Sequence, residues 1–190
     1  MLASYGAAPL DEDRIGRMVG DGAAMLVARA FAEAGLAAQP DALDRFIEHY
    51  NDRLLAHTRP YPGIREVLEA LSRRAALAVL TNKPLRATHE ILHGLDLTRF
   101  FSDDFIIGGD GPLPRKPNPA GLQHIQTKAQ VTPADTLFVG DSPIDWTTAK
   151  AAGTAICVVR YGFGFEGFST AMLDPGDRVI DAPLDLLELS

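Results

Sequence analysis

At 190 residues, 46% of them hydrophobic, the chain is long enough for one well-buried core with a small appended lobe. Its 25 acidic residues outnumber 18 basic ones for a net charge of −7, and the basic residues are spread out, which excludes a nucleic-acid partner but not a small anion in a local positive pocket. One cysteine, Cys157, allows no internal disulfide, and neither a leader-like start nor the about 20 apolar residues of a spanning helix is found, so a soluble, cytoplasmic protein without membrane contact is expected.

From Asp11 to about His57 the pattern is helical. Leu26, Val27, Ala30 and Phe31 line one side of a helix over Ala23–Ala34 that Gly35 stops, and Leu43, Phe46, Ile47, Tyr50 and Leu54 make a second apolar stripe. Residues 1–58 therefore read as a small helical bundle. Arg59-Pro60-Tyr61-Pro62-Gly63 breaks the pattern, because proline fixes φ and removes a donor, and marks a hinge over 59–63.

Residues 64–190 alternate between the two periodicities. Ile64, Val67, Leu68 and Leu71 form a helix stripe, and Ala76–Leu80 is a short apolar run of the kind buried on both faces of a sheet. Runs at 105–107, 136–140 and 156–159 repeat that theme between helical stretches at 84–95, 119–129 and 143–152, with Val179-Ile180 as a short edge strand. Such alternation predicts an α/β fold with a Rossmann-like parallel sheet and helices on both faces. Cys157 then lies inside a buried strand.

In a parallel sheet the loops after the strands converge on one crevice. Three of them here carry polar chemistry. Thr81-Asn82-Lys83-Pro84 follows the first run, and a proline at the first helical position would leave Thr81 and Asn82 presenting a hydroxyl and free N–H groups to an anion, although either residue also serves as a plain helix cap. Pro114-Arg115-Lys116-Pro117-Asn118-Pro119 is stiffened by prolines and presents Lys116, which can neutralise a phosphoryl oxygen, a role set against that of a solvated basic turn. Gly140-Asp141-Ser142-Pro143-Ile144-Asp145 places Asp141 at a strand end and Asp145 on the first helical turn, where two carboxylates suit a divalent cation and also favour the helix dipole.

Following a helical insert, Thr81, Lys116 and the Gly-Asp-Ser-x-x-Asp series resemble the haloacid dehalogenase superfamily of phosphohydrolases. Val19-Gly20-Asp21-Gly22, Thr58–Gly63, Thr81–Pro84, Gly108-Gly109-Asp110 with Arg115-Lys116-Pro117, and Tyr161-Gly162 are similar to its phosphoglycolate phosphatase branch, and the similarity runs over essentially the whole chain from about Gly16. The resemblance implies Mg²⁺ as cofactor, with Asp141 a ligand and Asp145 ordering the ligand shell. It further implies that Thr81 and Asn82 bind the phosphoryl group, that Lys116 stabilises its charge, and that residues 1–58 are a mobile cap with Asp21 and Gly22 facing the site. A small phosphorylated metabolite would be the substrate.

The family's Asp-x-Asp-Gly-Thr motif, at the end of a first and central strand, supplies the nucleophile. Nothing before residue 76 matches it, since Asp11-Glu12-Asp13-Arg14 follows no apolar run. The resemblance therefore implies a core whose central first strand is missing, a cap already under way at Met1, and a 190-residue form that binds phosphate without cleaving it, while the full gene product is an active phosphatase by way of a phosphoaspartyl intermediate. The strands at 76–80 and 136–140 would either pair directly or face a gap, and exposed strand edges favour self-association, a homodimer included. Two other readings stay open: a non-catalytic pseudophosphatase that binds Mg²⁺ or phosphate, and a zinc peptidase built on His89-Glu90-Ile91-Leu92-His93.

Overall fold

The computed structural model describes residues 1–189. Helices α1 (Glu12–Gly16), α2 (Ala23–Glu33) and α3 (Ala42–Asn51) make the first region. Val27 and Phe31 of α2 and Ala42 of α3 bury against Leu2 from the N-terminal turn, with Tyr5 edge-on to Phe31 at 5.1 Å. The Tyr5 hydroxyl donates to Asp41 at 2.9 Å and so ties that turn to the start of α3.

The second region starts with α4 (Ile64–Leu71) and continues as β1 (Val79–Leu80), α5 (Leu85–Gly94), β2 (Ile106–Ile107), α6 (Ala120–Ala129), β3 (Leu137–Gly140), α7 (Pro143–Ala151), β4 (Ala155–Val159) and β5 (Arg178–Ile180). All strand pairings are parallel, as βαβ alternation requires. They form two separate sheets, β1-β2 and β3-β4-β5. Phe138 pairs with Ile156 and Val158 with Val179, so β4 has a neighbour on each edge. Ile156, Cys157 and Val158 are fully buried there. Burial pushes the Cys157 thiol up to about 11, which keeps it protonated and inert.

The first apolar run behaves differently from its sequence pattern. Only Val79 and Leu80 of the stretch 76–80 form a strand; both are half-buried, while Ala76 and Ala78 are exposed. A strand needs a ladder of partners, and among the described residues β1 has one neighbour only. Of the two outcomes open to β1 and β3, the structure shows the gap: they lie in different sheets. β3 thus has a free edge, and on one of its faces Leu137 and Val139 are each 41% exposed while Phe138, on the other, packs with Ala149, Ile156 and Val158.

A buried ion pair holds the larger sheet to α7. Lys150 bonds Asp177 at 2.6 Å and Asp174 at 2.9 Å, and Asp177 also accepts from the Ile156 amide at 3.1 Å. Burial alone would raise the Asp177 carboxyl, but hydrogen bonds from Lys150 and from the Asp174 and Ile156 amides outweigh it and hold Asp177 below the usual carboxylate range.

Candidate functional site

The three polar loops come together at the carboxyl ends of β1 and β3. α7 begins with a reciprocal cap: Ser142 Oγ accepts from the Asp145 amide at 3.3 Å, and Asp145 Oδ2 accepts from the Ser142 amide at 3.1 Å and the Ser142 hydroxyl at 2.7 Å. Pro143 opens the helix with the φ it already prefers. The Asp145 side chain folds back over Gly140, where any Cβ would collide with it.

From that position Asp145 Oδ1 receives Lys116 Nζ at 2.6 Å, with the two side chains 6% and 13% exposed. The ammonium also lies over the Phe138 ring, 5.6 Å from its centroid. Burial would raise the Asp145 carboxyl, yet the Lys116 charge and hydrogen bond, aided by Ser142 and the Asp141 amide, hold it below the usual carboxylate range. The short bond to Asp145 holds Lys116 in one place. Asp145 Oδ2 accepts from the Asp141 and Ser142 amides and the Ser142 hydroxyl while Oδ1 takes the Lys116 ammonium, so Asp145 acts as an anchor for Lys116.

Asp141, half-buried at the end of β3, accepts from the Gly164 amide at 2.8 Å through Oδ2. Among the described residues no protein group donates to its Oδ1, which makes this the carboxylate oxygen of the loop open to a hard cation. Mg²⁺ uses few protein carboxylates and completes its shell with water and phosphate oxygens, so Asp141 suits it as one ligand. No group of three or more His, Cys, Asp or Glu side chains capable of holding a metal is found among the described residues. Within the His89–His93 segment Glu90 is bonded to Arg86 at 2.7 Å and His89 faces Asp103 at 3.9 Å, leaving no third ligand for a zinc ion.

The first loop differs from its expected form. Helix α5 starts at Leu85 with Pro84 as its cap, one residue later than the sequence pattern suggests, because Pro84 takes an extended ψ of 140°. The Leu85 amide is satisfied from a distance, by Asp110 Oδ1 at 2.7 Å. Thr81 Oγ1 accepts from the Lys83 amide at 3.1 Å, while the Thr81 amide donates to Ile107 at 3.0 Å, so neither N–H is free for an anion. Asn82 is buried, and its Nδ2 reaches Gly20 O and Lys116 O.

Of the residues expected to face the site from the helical region, Gly22 does so and lies against the Arg115 guanidinium. Asp21 is turned away into an ion pair with Arg29. A cleft of about 460 Å³ opens between the two regions, lined by Ala23, Leu43, Ile47, Asn51, Asn82 and Arg115. Arg115 and Asp110 line it, and Lys83 and Tyr50 join the two regions nearby, without any of the four having been singled out by sequence. Arg115 and Asp110 sit inside motifs and could have been found there; Tyr50, which Lys83 Nζ contacts, reads only as one more residue of an apolar stripe.

Comparison with known proteins bears on the family. The sequence profile of the haloacid dehalogenase-like hydrolases matches residues 1–159. Phosphoglycolate phosphatase of Rhodospirillum rubrum is 44% identical over 174 residues, covering 87% of this chain and 71% of that protein. Phosphoglycolate phosphatase 1 of Pseudomonas aeruginosa is 39% identical over 194 residues, covering 98% and 70%. Among solved structures, a predicted phosphoglycolate phosphatase from Haemophilus somnus superposes with a TM-score of 0.88 at 29% identity, covering 99% of this chain and 86% of that one. The loop-by-loop geometry and these matches lead to one assignment: the chain belongs to the haloacid dehalogenase-like hydrolase family.

Proposed function

We propose that the protein is a phosphate monoester hydrolase acting on a small phosphorylated acid of the phosphoglycolate kind, with residues 1–58 as its cap and 64–190 as its core. The observation that carries this reading is the buried Lys116–Asp145 pair, set at one sheet edge beside Thr81 and Asp141. Lys116 holds a fixed positive charge against a phosphoryl oxygen, and Asp145 holds Lys116 there. Thr81 Oγ1 orients a second phosphoryl oxygen. Asp141 would hold Mg²⁺, which when bound offsets the charge of the phosphoryl group. Within this reading the protein works in the cytoplasm on a small metabolite, without nucleic acid, and β3 with its exposed Leu137 and Val139 is its surface for self-association.

Cleavage by this route needs an attacking carboxylate next to Lys116. Among the described residues Asp145 is the acid bonded to Lys116, and it is held by Ser142 and the helix cap. We therefore expect residues 1–190 to bind Mg²⁺ and inorganic phosphate but not to turn over an aryl phosphate such as p-nitrophenyl phosphate. Calorimetry with both ligands, run beside a steady-state assay of wild type and Asp141→Ala, checks both halves. Turnover by wild type that vanishes in Asp141→Ala would show that the chain supplies its own nucleophile; no phosphate binding by wild type would remove the cradle itself.

A further inference from the structure

The segment Gly16–Gly22 of the helical region reaches across to the core as a tongue. The Cβ position of Gly16 lies 2.6 Å from Phe163 Cζ, that of Gly20 3.4 Å from Ile144 Cδ1, and that of Gly22 2.9 Å from Arg115 Nη1. Gly20 and Gly22 have φ of 126° and 89°, a backbone that other residues rarely adopt, and at Gly16 and Gly22 the missing side chain allows the close approach. Each core residue touched is next in sequence to a site residue or its partner. Phe163 precedes Gly164, whose amide holds Asp141; Ile144 precedes Asp145; Arg115 precedes Lys116.

We propose that Asn82 is the positioning residue that couples this tongue to the lysine loop. Its Nδ2 donates at once to Gly20 O at 2.9 Å and to Lys116 O at 3.0 Å, and the residue is 8% exposed. Both neighbours are carbonyls, which can only accept, so the amide has one possible orientation. Its Oδ1 is left buried without a donor. Such an orphan is unfavourable for stability, so local polarity does not explain the residue; the two carbonyl contacts do. The next residue, Lys83, reaches Tyr50 of α3, which makes a second bond from the same loop to the helical region. When the tongue is seated, Asn82 fixes the backbone of Lys116 while Asp145 fixes its ammonium. When the tongue lifts, Nδ2 loses its Gly20 partner, the Asn82 amide is free to turn, and its hold on the Lys116 carbonyl weakens.

The inference rests on the phosphate-cradle reading for its consequence, not for its geometry, and the experiment separates the two. Amide hydrogen exchange is measured on the 190-residue chain as wild type, Asn82→Asp and Asn82→Ala, with and without inorganic phosphate and Mg²⁺. Asn82→Asp keeps the size and removes both donors; Asn82→Ala does so without a buried charge and carries the test if the first variant fails to fold. Exchange over residues 16–22 and 113–118 is expected to rise about tenfold together, as loss of a buried hydrogen bond predicts, with 155–159 unchanged. Phosphate should slow exchange over 16–22 in wild type and not in the variants. A rise in one segment alone, no rise, or an equal rise that includes 155–159 would overturn the coupling. If wild type binds no phosphate, the cradle reading fails while the paired rise over 16–22 and 113–118 still decides the latch.

Discussion

Ala76–Leu80 and Ala155–Val159 are two apolar runs of five residues with the same sequence character and opposite fates. The second is β4, bonded on both edges and buried through Ile156, Cys157 and Val158. The first yields two strand residues with one neighbour and two exposed alanines. Apolar content thus marks a segment that can be central in a sheet, but the ladder on each edge decides whether it is. The comparison also separates the site residues, since Thr81 and Asn82 hang from the thin sheet whereas Asp141 and Asp145 follow the thick one.

The largest expected effect lies in the thick sheet. Ile156→Ala removes a fully buried side chain beside Val158, Ala149 and Phe168, where neighbours on both sides limit collapse, and should cost about 3–4 kcal/mol. Val79→Ala in β1 removes a half-buried side chain from a strand with one free edge and should cost about 1 kcal/mol. Urea unfolding of both variants reads the difference directly. Equal losses would mean that β1 is as firmly supported as β4, against the split sheet.

The Asp177–Lys150 pair sharpens the comparison, because it ties α7 to the thick sheet. Asp177→Asn leaves Lys150 with Asp174 alone and weakens the bond to Ile156, and should cost about 3 kcal/mol at neutral pH. The sign with pH follows from the lowered Asp177 carboxyl: its contribution is complete above the pKa of the unfolded carboxylate and is lost as pH falls through the lower folded value. Wild type should therefore lose stability on acidification more steeply than Asp177→Asn, whose curve lacks this component. Parallel slopes of stability against pH would show that the pair carries no net weight.

Much of this was readable in the sequence, and the limits have a physical pattern. β4 and the cap of α7 by Ser142 and Pro143 follow from periodicity and local chemistry, which act within a few residues. The cap of α5 by Asp110 could not be read that way, because donor and acceptor are 25 positions apart and meet only through the β1-β2 pairing. For the same reason Asp145 read as a metal-facing carboxylate. Its sequence position fixes the first turn of α7, whereas the lysine that takes its Oδ1 comes from a loop 29 residues earlier. Asp21 shows the reverse case: near the site by sequence motif, it is turned aside by Arg29, one face along α2.

The smallest effect on stability should come from the open side of β3, and it tests what that side is for. Leu137 and Val139 point the same way, two residues apart on one face, and each is 41% exposed, while Phe138 between them packs inward. Two apolar side chains in water on a strand with a free edge favour association between copies, because pairing removes apolar surface and fills the backbone ladder together. Leu137→Lys with Val139→Lys should cost about 0.5–1 kcal/mol of folding stability, since the lysine stems keep part of the covered contact, while shifting any concentration-dependent dimer toward monomer. Sedimentation velocity over a range of concentrations, set beside urea unfolding, distinguishes the outcomes. A large loss of stability in the double variant would mean that this face of β3 is covered from within the chain, and would make the two sheets more alike than their burial shows.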